Sequence, residues 1–487
     1  MTGRWRDPVM ALLFSNLCFL RTWNELASYT DSQSFFFHQP PARAAYLALW
    51  INVFVWAVVV WALLRLWRRA TTPLARRLTS VLLFLLALVP LNALRSVSGN
   101  RLPILRAGMF PLFGVDGAAV LILVAAFGMA LIATRFGRQL RAAAAVVLFC
   151  TIPLLVFNVG AAVYRMRNLR PTLFSDLPLQ PLQQSSIAAP ARVVWIIFDE
   201  MDYRLAFTER PSTLKMPEFD RLKTESVAAT RAHTPAWSTE YSIPSLLSGR
   251  QATAVIPIGP DRVDVRFAGE DELVRWDGSQ TIFATARKLG YNTAVAGWYL
   301  PYCRVLNDAL SECDWRSMGN QMNSNGRAFG QLLVNENRSL FETSLLSPFG
   351  QSLTVKKRVA EVERLVALAK RDVVDRRLGL VFLHFPVPHP PAIYDRFRKT
   401  LTKANARVSG YVDSLALADR ILGELREQMT RAGLWIKTTL LVTADHHWKR
   451  LVNRIPMVRG CTVSADWLSL GWEVVGSSCG ETIRSAG

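Results

Sequence analysis

The sequence predicts an N-terminal α-helical membrane bundle of four or five spans, followed by an α/β domain with a mostly parallel sheet covered by helices. Two observations predict this fold class. Long apolar stretches alternate with arginine clusters over residues 1–165, and short apolar runs alternate with amphipathic helical patterns from residue 192 onwards. Some of the later runs end directly in acids, or in an acid and a histidine, as expected at the carboxyl ends of parallel strands.

Four apolar segments have about the 20 residues that a membrane span requires, or nearly so. A fifth segment is weaker because Asn16 and Arg21 interrupt it, and it is predicted as a first span or a re-entrant segment. The four segments cover about 44–64, 78–94, 117–134 and 142–164, and the fifth covers about 8–24.

Arginine placement predicts the orientation of these spans. Residues 1–170 contain 18 arginines, no lysine and four acids, a net +14 out of the formal +20 of the whole chain. Arginines between apolar stretches indicate topology and contact with anionic lipids, and they do not favour a nucleic-acid partner. The arginine-rich loops 65–77 and 135–141 are expected in the cytoplasm. With five spans, everything after residue 165 then lies outside.

Composition divides the rest of the chain. Residues 166–191 are rich in Pro, Gln and Ser and are predicted to link the membrane part to a catalytic domain at 192–456. A tail at 457–487 follows. Neither a Walker loop nor a GxGxxG motif occurs, so nucleotide-cofactor chemistry has no support. In the catalytic domain, strands are predicted at 193–198, 292–296, 378–384 and 440–443, and helices at 279–289, 355–377 and 409–432.

Acids follow the first and the last of these strands. An acid after a buried strand is costly unless it is paired, caps a helix or binds a metal. Asp199 and Glu200 are adjacent and point in different directions, so one of them is expected to bind metal directly, and Asp199 is favoured. Asp445 and His446 add a carboxylate and an imidazole, a set that fits one or two Zn or Mn ions. Helix capping is the alternative role of both aspartates.

Thr239 is the predicted nucleophile. A hydroxyl is a weak nucleophile at neutral pH, and a nearby divalent cation activates it. Thr239 lies in a serine-rich segment, where Ser238 and Ser242 are the rival hydroxyls.

The chain has only six histidines, and five of them lie in or near these segments. His389 stands in a proline-rich loop directly after a predicted strand, and the prolines would present it rigidly. It is predicted to bind a phosphoryl oxygen or to protonate a leaving alcohol; a turn with an incidental histidine is the alternative. The remaining candidates for substrate binding are His233, His384 and His447.

The cysteines suggest an oxidising compartment. Cys303 and Cys313 stand ten residues apart in a polar stretch and are expected to form a disulfide, with two free thiols as the alternative. Cys461 and Cys479 offer a second pair that the sequence leaves undecided.

These motifs resemble the alkaline phosphatase/sulfatase superfamily. More closely, the layout resembles its membrane-anchored bacterial branch, which contains lipid A phosphoethanolamine transferases and lipoteichoic acid synthases. Residues 242–244, three positions after Thr239, are similar to the nucleophile loop of the transferases, and Asp445 with His446 matches the Asp-His of the family's Ser-Asp-His-Gly signature. The helix that precedes this signature is matched at Tyr411, Asp413, Asp419 and Gly423.

Three departures from the family pattern matter. Sulfatases make formylglycine from Cys or Ser followed by x-Pro-x-Arg, whereas Thr239 cannot form it and the following residues lack that Pro and Arg. His447 replaces the usual Gly, which leaves open whether His446 or His447 faces the metal. The tail after Pro456 has no counterpart, so a C-terminal truncation or frameshift is one expectation.

The resemblance implies a metal-dependent phosphotransferase or phosphodiesterase in the bacterial inner membrane, multi-pass, with its catalytic domain facing the periplasm. Thr239 would attack the phosphorus of a phospholipid donor, and the head group would pass to an envelope glycan, a lipid or water. Two other functions stay open: a sulfuric ester hydrolase, and a catalytically inactive membrane scaffold of the same fold.

Overall fold

The structure of the chain is a computed structural model. Two compact units divide it: the first contains residues 1–176, 316–363 and 391–410, and the second contains 177–315, 364–390 and 411–487. The structure describes residues 3–27, 34–36, 41–97, 120–121, 123–125, 127–128, 137–168, 177–183, 192–229, 232–317, 328–342, 350–402 and 410–448.

Apolar helices form most of the first unit. They are α1 (Gly3–Cys18), α2 (Leu20–Ala27), α3 (Arg43–Arg69), α4 (Pro73–Val97), α5 (Gly137–Phe149) and α6 (Ile152–Asn168). Three stretches of the described chain are helical, long and apolar enough to cross a membrane, namely Arg43–Arg69, Pro73–Leu94 and Ala142–Asn168. Large side chains on these helices, such as Phe54 and Val55, are exposed, as a lipid-facing surface requires. These features indicate association with a membrane.

Three of the predicted spans are therefore confirmed as candidate spans. The weaker segment at 8–24 folds as two helices, α1 and α2, which are separated at Phe19. The segment predicted at 117–134 lies largely outside the described residues.

Two later segments also belong to the first unit. Helix α11 (Phe329–Glu342) packs on α3 through polar groups: the Asn52 amide donates to Oε2 of Glu336 at 3.0 Å, and the Trp56 indole donates to Oδ1 of Asn337 at 2.7 Å. A small antiparallel hairpin pairs β8 (Tyr394–Asp395) with β9 (Thr400–Leu401).

The second unit is built on a five-stranded sheet. Its strands are β1 (Arg192–Phe198), β5 (Asn292–Trp298), β6 (Glu312–Arg316), β7 (Leu378–Phe385) and β10 (Thr438–Thr443), in the order β10-β1-β7-β5-β6. The pairs β1–β10, β1–β7 and β5–β7 are parallel. A second, antiparallel sheet joins β2 (Ala252–Gly259), β3 (Arg262–Phe267) and β4 (Val274–Trp276).

Helices connect these strands. They are α7 (Pro217–Glu225), α8 (Thr239–Ser248), α9 (Ile282–Lys288), the single turn α10 (Tyr302–Val305), α12 (Gly350–Asp372) and α13 (Gly410–Arg431). Five residues before β7 that were predicted as helix, 373–377, form a turn instead. Asp375 accepts a hydrogen bond from the Arg377 amide there, at 2.9 Å, and this turn redirects the chain into the strand.

The register of the sheet places the carboxyl ends of three strands side by side. Ile197 of β1 is paired with His384 of β7 on one side and with Thr443 of β10 on the other. The central strands are buried because their runs of Val, Ile, Leu and Phe are covered on both faces. Asp199, His384 and Asp445 therefore meet at one edge of the sheet, and the predicted fold class is confirmed.

Candidate metal centre

Asp199 is held at the end of β1 by backbone hydrogen bonds to the segment after β7. Its amide donates to the Phe385 carbonyl at 3.0 Å, and its carbonyl accepts from the His389 amide at 3.1 Å. The residue is completely buried. The carboxylate is therefore fixed at the sheet edge, where an isolated charge would be costly without a partner of opposite charge.

His384 reaches the same point from β7. Its Nε2 lies 3.9 Å from Oδ2 of Asp199, and its Nδ1 lies 2.8 Å from the Tyr302 hydroxyl. Burial lowers the pKa of His384 to about 4. The imidazole is therefore neutral at physiological pH, which is the form that binds metals.

Asp445 joins three parts of the site. Its Oδ1 accepts hydrogen bonds from the amides of Glu200 at 3.0 Å and of His446 at 2.7 Å. Its Oδ2 accepts from the Thr239 hydroxyl at 2.7 Å. The carboxylate thus ties the end of β10 to the end of β1 and to the start of α8.

His446 lies beside the carboxylates of Asp199 and Asp445. Its Nε2 lies 3.4 Å from Oδ2 of Asp445 and 3.7 Å from Oδ1 of Asp199, and the side chain is buried. Its Nδ1 lies 2.9 Å from the His447 carbonyl, which fixes the ring orientation. Of the two adjacent histidines, the structure buries His446 beside the acids and leaves the His447 side chain exposed.

Thr239 is the first residue of α8 and is buried. Besides its bond to Asp445, its hydroxyl lies 3.3 Å from Nε2 of His446. The rival Ser242 instead donates to the Ala236 carbonyl at 3.1 Å. The structure therefore brings the hydroxyl of Thr239 to Asp445, at the positive end of a helix dipole where a developing negative charge is stabilised.

Asp199, His384 and Asp445 fit a metal ion. One ligand atom from each lies within 4.8 Å of the other two, and all three residues are buried. Nε2 of His384 is buried and has no hydrogen-bond partner in the part of the chain that the structure describes. A buried donor set of two carboxylates and one imidazole suits a divalent cation.

Glu200 and His389 form a second pair beside this cluster. The Glu200 backbone has a positive φ of 64°, and its carbonyl accepts a hydrogen bond from the Tyr411 hydroxyl at 2.5 Å. Its carboxylate lies 3.9 Å from Nε2 of His389. The His389 ring, half-buried, also faces Trp298 with a centroid distance of 5.2 Å. The structure therefore places the Glu200 carboxylate next to His389, outside the three-residue ligand group.

The remaining predicted residues lie elsewhere. His233 is exposed, in the segment before Thr239. Cys303 and Cys313 are joined by a disulfide, and their Cα atoms are 5.5 Å apart. Cys461 and Cys479 lie outside the described residues.

Sequence reasoning missed two features of the centre. It assigned His384 to substrate binding, whereas the structure places this residue among the metal-ligand candidates; its position at the end of a buried strand was the available signal. It did not identify Tyr302, because nothing local in the sequence links that residue to His384.

The parallel sheet and the buried ligand group at its carboxyl edge match the class of domain that the motifs predicted, the alkaline phosphatase/sulfatase type. The chain belongs to the sulfatase family, whose profile matches residues 191–450. This confirms the superfamily that the motifs predicted.

Comparison with solved structures finds distant relatives. Murine ectonucleotide pyrophosphatase/phosphodiesterase 5 in complex with AMP is 14% identical, with a TM-score of 0.31, and the match covers 53% of this chain and 57% of that one. The sulfatase YidJ of Bacteroides fragilis is 15% identical, with a TM-score of 0.31, over 55% of this chain and 64% of that one. The chain thus spans less than two thirds of either relative. A search of curated proteins finds no match.

Proposed function

We propose that this protein is a membrane-anchored, metal-dependent phosphotransferase or phosphodiesterase that uses Thr239 as its nucleophile. One observation carries the proposal: the Thr239 hydroxyl donates to Asp445 at 2.7 Å and lies 3.3 Å from Nε2 of His446, beside the ligand group of Asp199, His384 and Asp445. A hydroxyl at the edge of a cation site is the arrangement that nucleophilic attack on a phosphate ester requires.

The first step forms a bond between Oγ1 of Thr239 and phosphorus. Oδ2 of Asp445 accepts the hydrogen bond of this hydroxyl, and Nε2 of His446 is close enough to receive its proton. A divalent cation held by Asp199, His384 and Asp445 would lower the pKa of the hydroxyl and offset the charge of the phosphoryl oxygens. The amino end of α8 contributes its dipole in the same direction.

The bond from phosphorus to the lipid alcohol breaks in this step, and the alcohol needs a proton. His389 is suited to donate it, since its ring is half-exposed and lies 3.9 Å from the Glu200 carboxylate. In the second step His389, now neutral, takes a proton from the acceptor hydroxyl or from water, which attacks phosphorus. The bond between phosphorus and Oγ1 of Thr239 breaks, and His446 returns its proton to that oxygen.

Phosphoryl chemistry is favoured over sulfate-ester hydrolysis because of the nucleophile. Thr239 cannot become formylglycine, and the Thr239–Ile243 segment lacks the Pro and Arg of the modification motif. Membership of the sulfatase family keeps sulfuric ester hydrolysis as the competing activity. An inactive scaffold is the third reading, and metal content distinguishes it from both.

The proposed donor is a phospholipid and the proposed acceptor an envelope glycan or lipid. Three apolar helices would keep the protein in the membrane that contains the donor. The arginines of loops 65–77 and 135–141 favour a cytoplasmic location for those loops, which would place the catalytic domain on the periplasmic side of a bacterial inner membrane.

Intact mass spectrometry of the full chain tests this proposal. Detergent-purified wild type, Thr239→Ala and Ser242→Ala are incubated with a mixed phospholipid extract, and metal content, covalent adducts and released diacylglycerol are measured. We expect metal in all three, and an adduct or diacylglycerol from wild type and Ser242→Ala but not from Thr239→Ala. Release by Thr239→Ala at the wild-type rate would disprove the nucleophile. Wild type with neither metal nor product would favour the scaffold.

A further inference from the structure

The hairpin of β8 and β9 carries an unusual tip. Its base is buried, since Ile393 and Tyr394 are only 2% and 4% exposed. The four residues between the strands, 396–399, are Arg, Phe, Arg and Lys. Phe397 is 78% exposed, and the Arg398 side chain is 83% exposed. A large aromatic ring therefore stands in solvent among cations.

Local bonds hold this tip in place. Oδ1 of Asp395 accepts hydrogen bonds from the amides of Phe397 and Arg398, both at 3.0 Å. The Arg396 guanidinium lies over the Phe397 ring, with its central carbon 4.6 Å from the ring centroid. The exposed ring is thus presented by a defined turn.

The chemistry of the tip matches a phospholipid headgroup layer. Three cations against the single Asp395 give residues 395–399 a net charge of +2. Phe, Trp and Leu side chains enter the headgroup boundary in interfacial segments that are rich in Lys and Arg, and each cation near an anionic leaflet adds attraction. Transfer of the Phe397 ring from water into the headgroup layer is favourable, because apolar surface exposed to water costs free energy.

We propose that the 396–399 tip is a membrane-interface anchor, in which Phe397 enters the headgroup layer and Arg398 and Lys399 contact lipid phosphates. The hairpin belongs to the same compact unit as the three helices that are long and apolar enough to cross a membrane, so a bilayer is the surface that this unit meets. The anchor is independent of the chemistry proposed above.

Photo-crosslinking of the full chain tests the anchor. Phe397 is replaced with p-benzoylphenylalanine, which keeps an aromatic ring at an exposed site, and the protein is placed in nanodiscs of phosphatidylcholine with or without phosphatidylglycerol. Val227, which is fully exposed in the second unit, receives the same replacement as a control. After irradiation, intact mass is measured. We expect an adduct of one phospholipid at position 397, in higher yield with phosphatidylglycerol, and none at 227.

A charge series gives a second measurement. In the background that carries p-benzoylphenylalanine at position 397, Arg398→Gln with Lys399→Gln should lower the adduct yield in phosphatidylglycerol nanodiscs by about fivefold for each charge removed. Lys223→Gln with Lys288→Gln removes two exposed lysines elsewhere and should leave the yield unchanged. Any of three results would overturn the anchor. They are equal yields of lipid adduct at positions 397 and 227, the absence of a lipid adduct at 397, and a protein adduct at 397 in place of the lipid.

Discussion

The Tyr302 hydroxyl lies 2.8 Å from Nδ1 of His384, and both side chains are buried. Burial raises the pKa of Tyr302 well above its ordinary value, with smaller contributions from Asp445 and Asp199, so the phenol stays neutral. This contact occupies one nitrogen of the imidazole and directs the other, Nε2, towards Asp199. Tyr302 is therefore a positioning residue for the candidate metal centre, in the way that outer groups orient metal-binding histidines.

Tyr302→Phe should weaken metal binding while the fold is retained. The substitution removes only the oxygen that contacts Nδ1, so the imidazole loses one of the contacts that orient it. We expect metal affinity to fall by about 10- to 100-fold, as is common when a histidine ligand loses its orienting partner. Metal titration of the chelator-treated full chain measures this. Tyr291→Phe is the matched control, because Tyr291 precedes β5 at the end of the sheet away from the centre. An equal loss in both variants would contradict the positioning role.

Gly297→Ala should also disturb the contact between Tyr302 and His384, because it displaces the Tyr302 ring. A Cβ atom at Gly297 would lie 2.4 Å from Cε2 of Tyr302, so the ring or the strand must move. We expect destabilisation of about 1–3 kcal/mol, typical of overpacking, together with weaker metal binding. Gly259→Ala is the control, since an added Cβ there meets no atom within 4 Å. Thermal unfolding and metal titration measure both effects. Normal metal affinity in Gly297→Ala would separate the Tyr302 ring from the metal centre.

Local sequence patterns were enough to predict that Asp199, Asp445 and Thr239 lie in one site. The apolar β-branched runs before Asp199 and Asp445 predicted parallel strands, and parallel strands necessarily bring their carboxyl ends to one edge. The hydroxyl of Thr239 was selected by its motif spacing, and the structure brings that hydroxyl to Asp445. These features depend on short segments and on the general geometry of parallel sheets.

The contacts that depend on strand order could not be predicted. Tyr302 follows β5, and it meets His384 only because β5 and β7 are neighbours in the sheet. Periodicity does not give that order. The direction of the Glu200 side chain likewise depends on its backbone conformation, with a φ of 64°. A positive φ is uncommon outside glycine, and nothing in the sequence indicates it here.

His384 should make the metal-free protein sensitive to mild acid. Its pKa is lowered from 6.5 to about 4 in the fold, chiefly by burial. Between these two pH values His384 binds a proton in the unfolded chain but not in the folded chain. Its contribution to the free energy of unfolding is therefore fully present above pH 6.5 and is lost as the pH drops towards 4. The full effect is about 3 kcal/mol. The transition temperature of chelator-treated wild type should therefore fall more steeply over this range than that of His384→Gln. His384→Gln keeps every other titrating group. If the transition temperatures of the two proteins fell equally steeply with pH, His384 would be excluded as the cause of the acid sensitivity.

The disulfide between Cys303 and Cys313 should stabilise the segment that carries Tyr302. It closes a loop with a sequence separation of 10 residues directly after that tyrosine. Loop closure of this length is worth about 3 kcal/mol in the chain-entropy account, so Cys303→Ser with Cys313→Ser should lower the transition temperature by several degrees. Since α10 begins at Tyr302, metal affinity should fall as well. Reductant should reproduce both effects in wild type and change neither in the double variant, which controls for the other cysteines. If reductant lowered the transition temperature of both proteins equally, the stabilisation would have to come from another pair of cysteines.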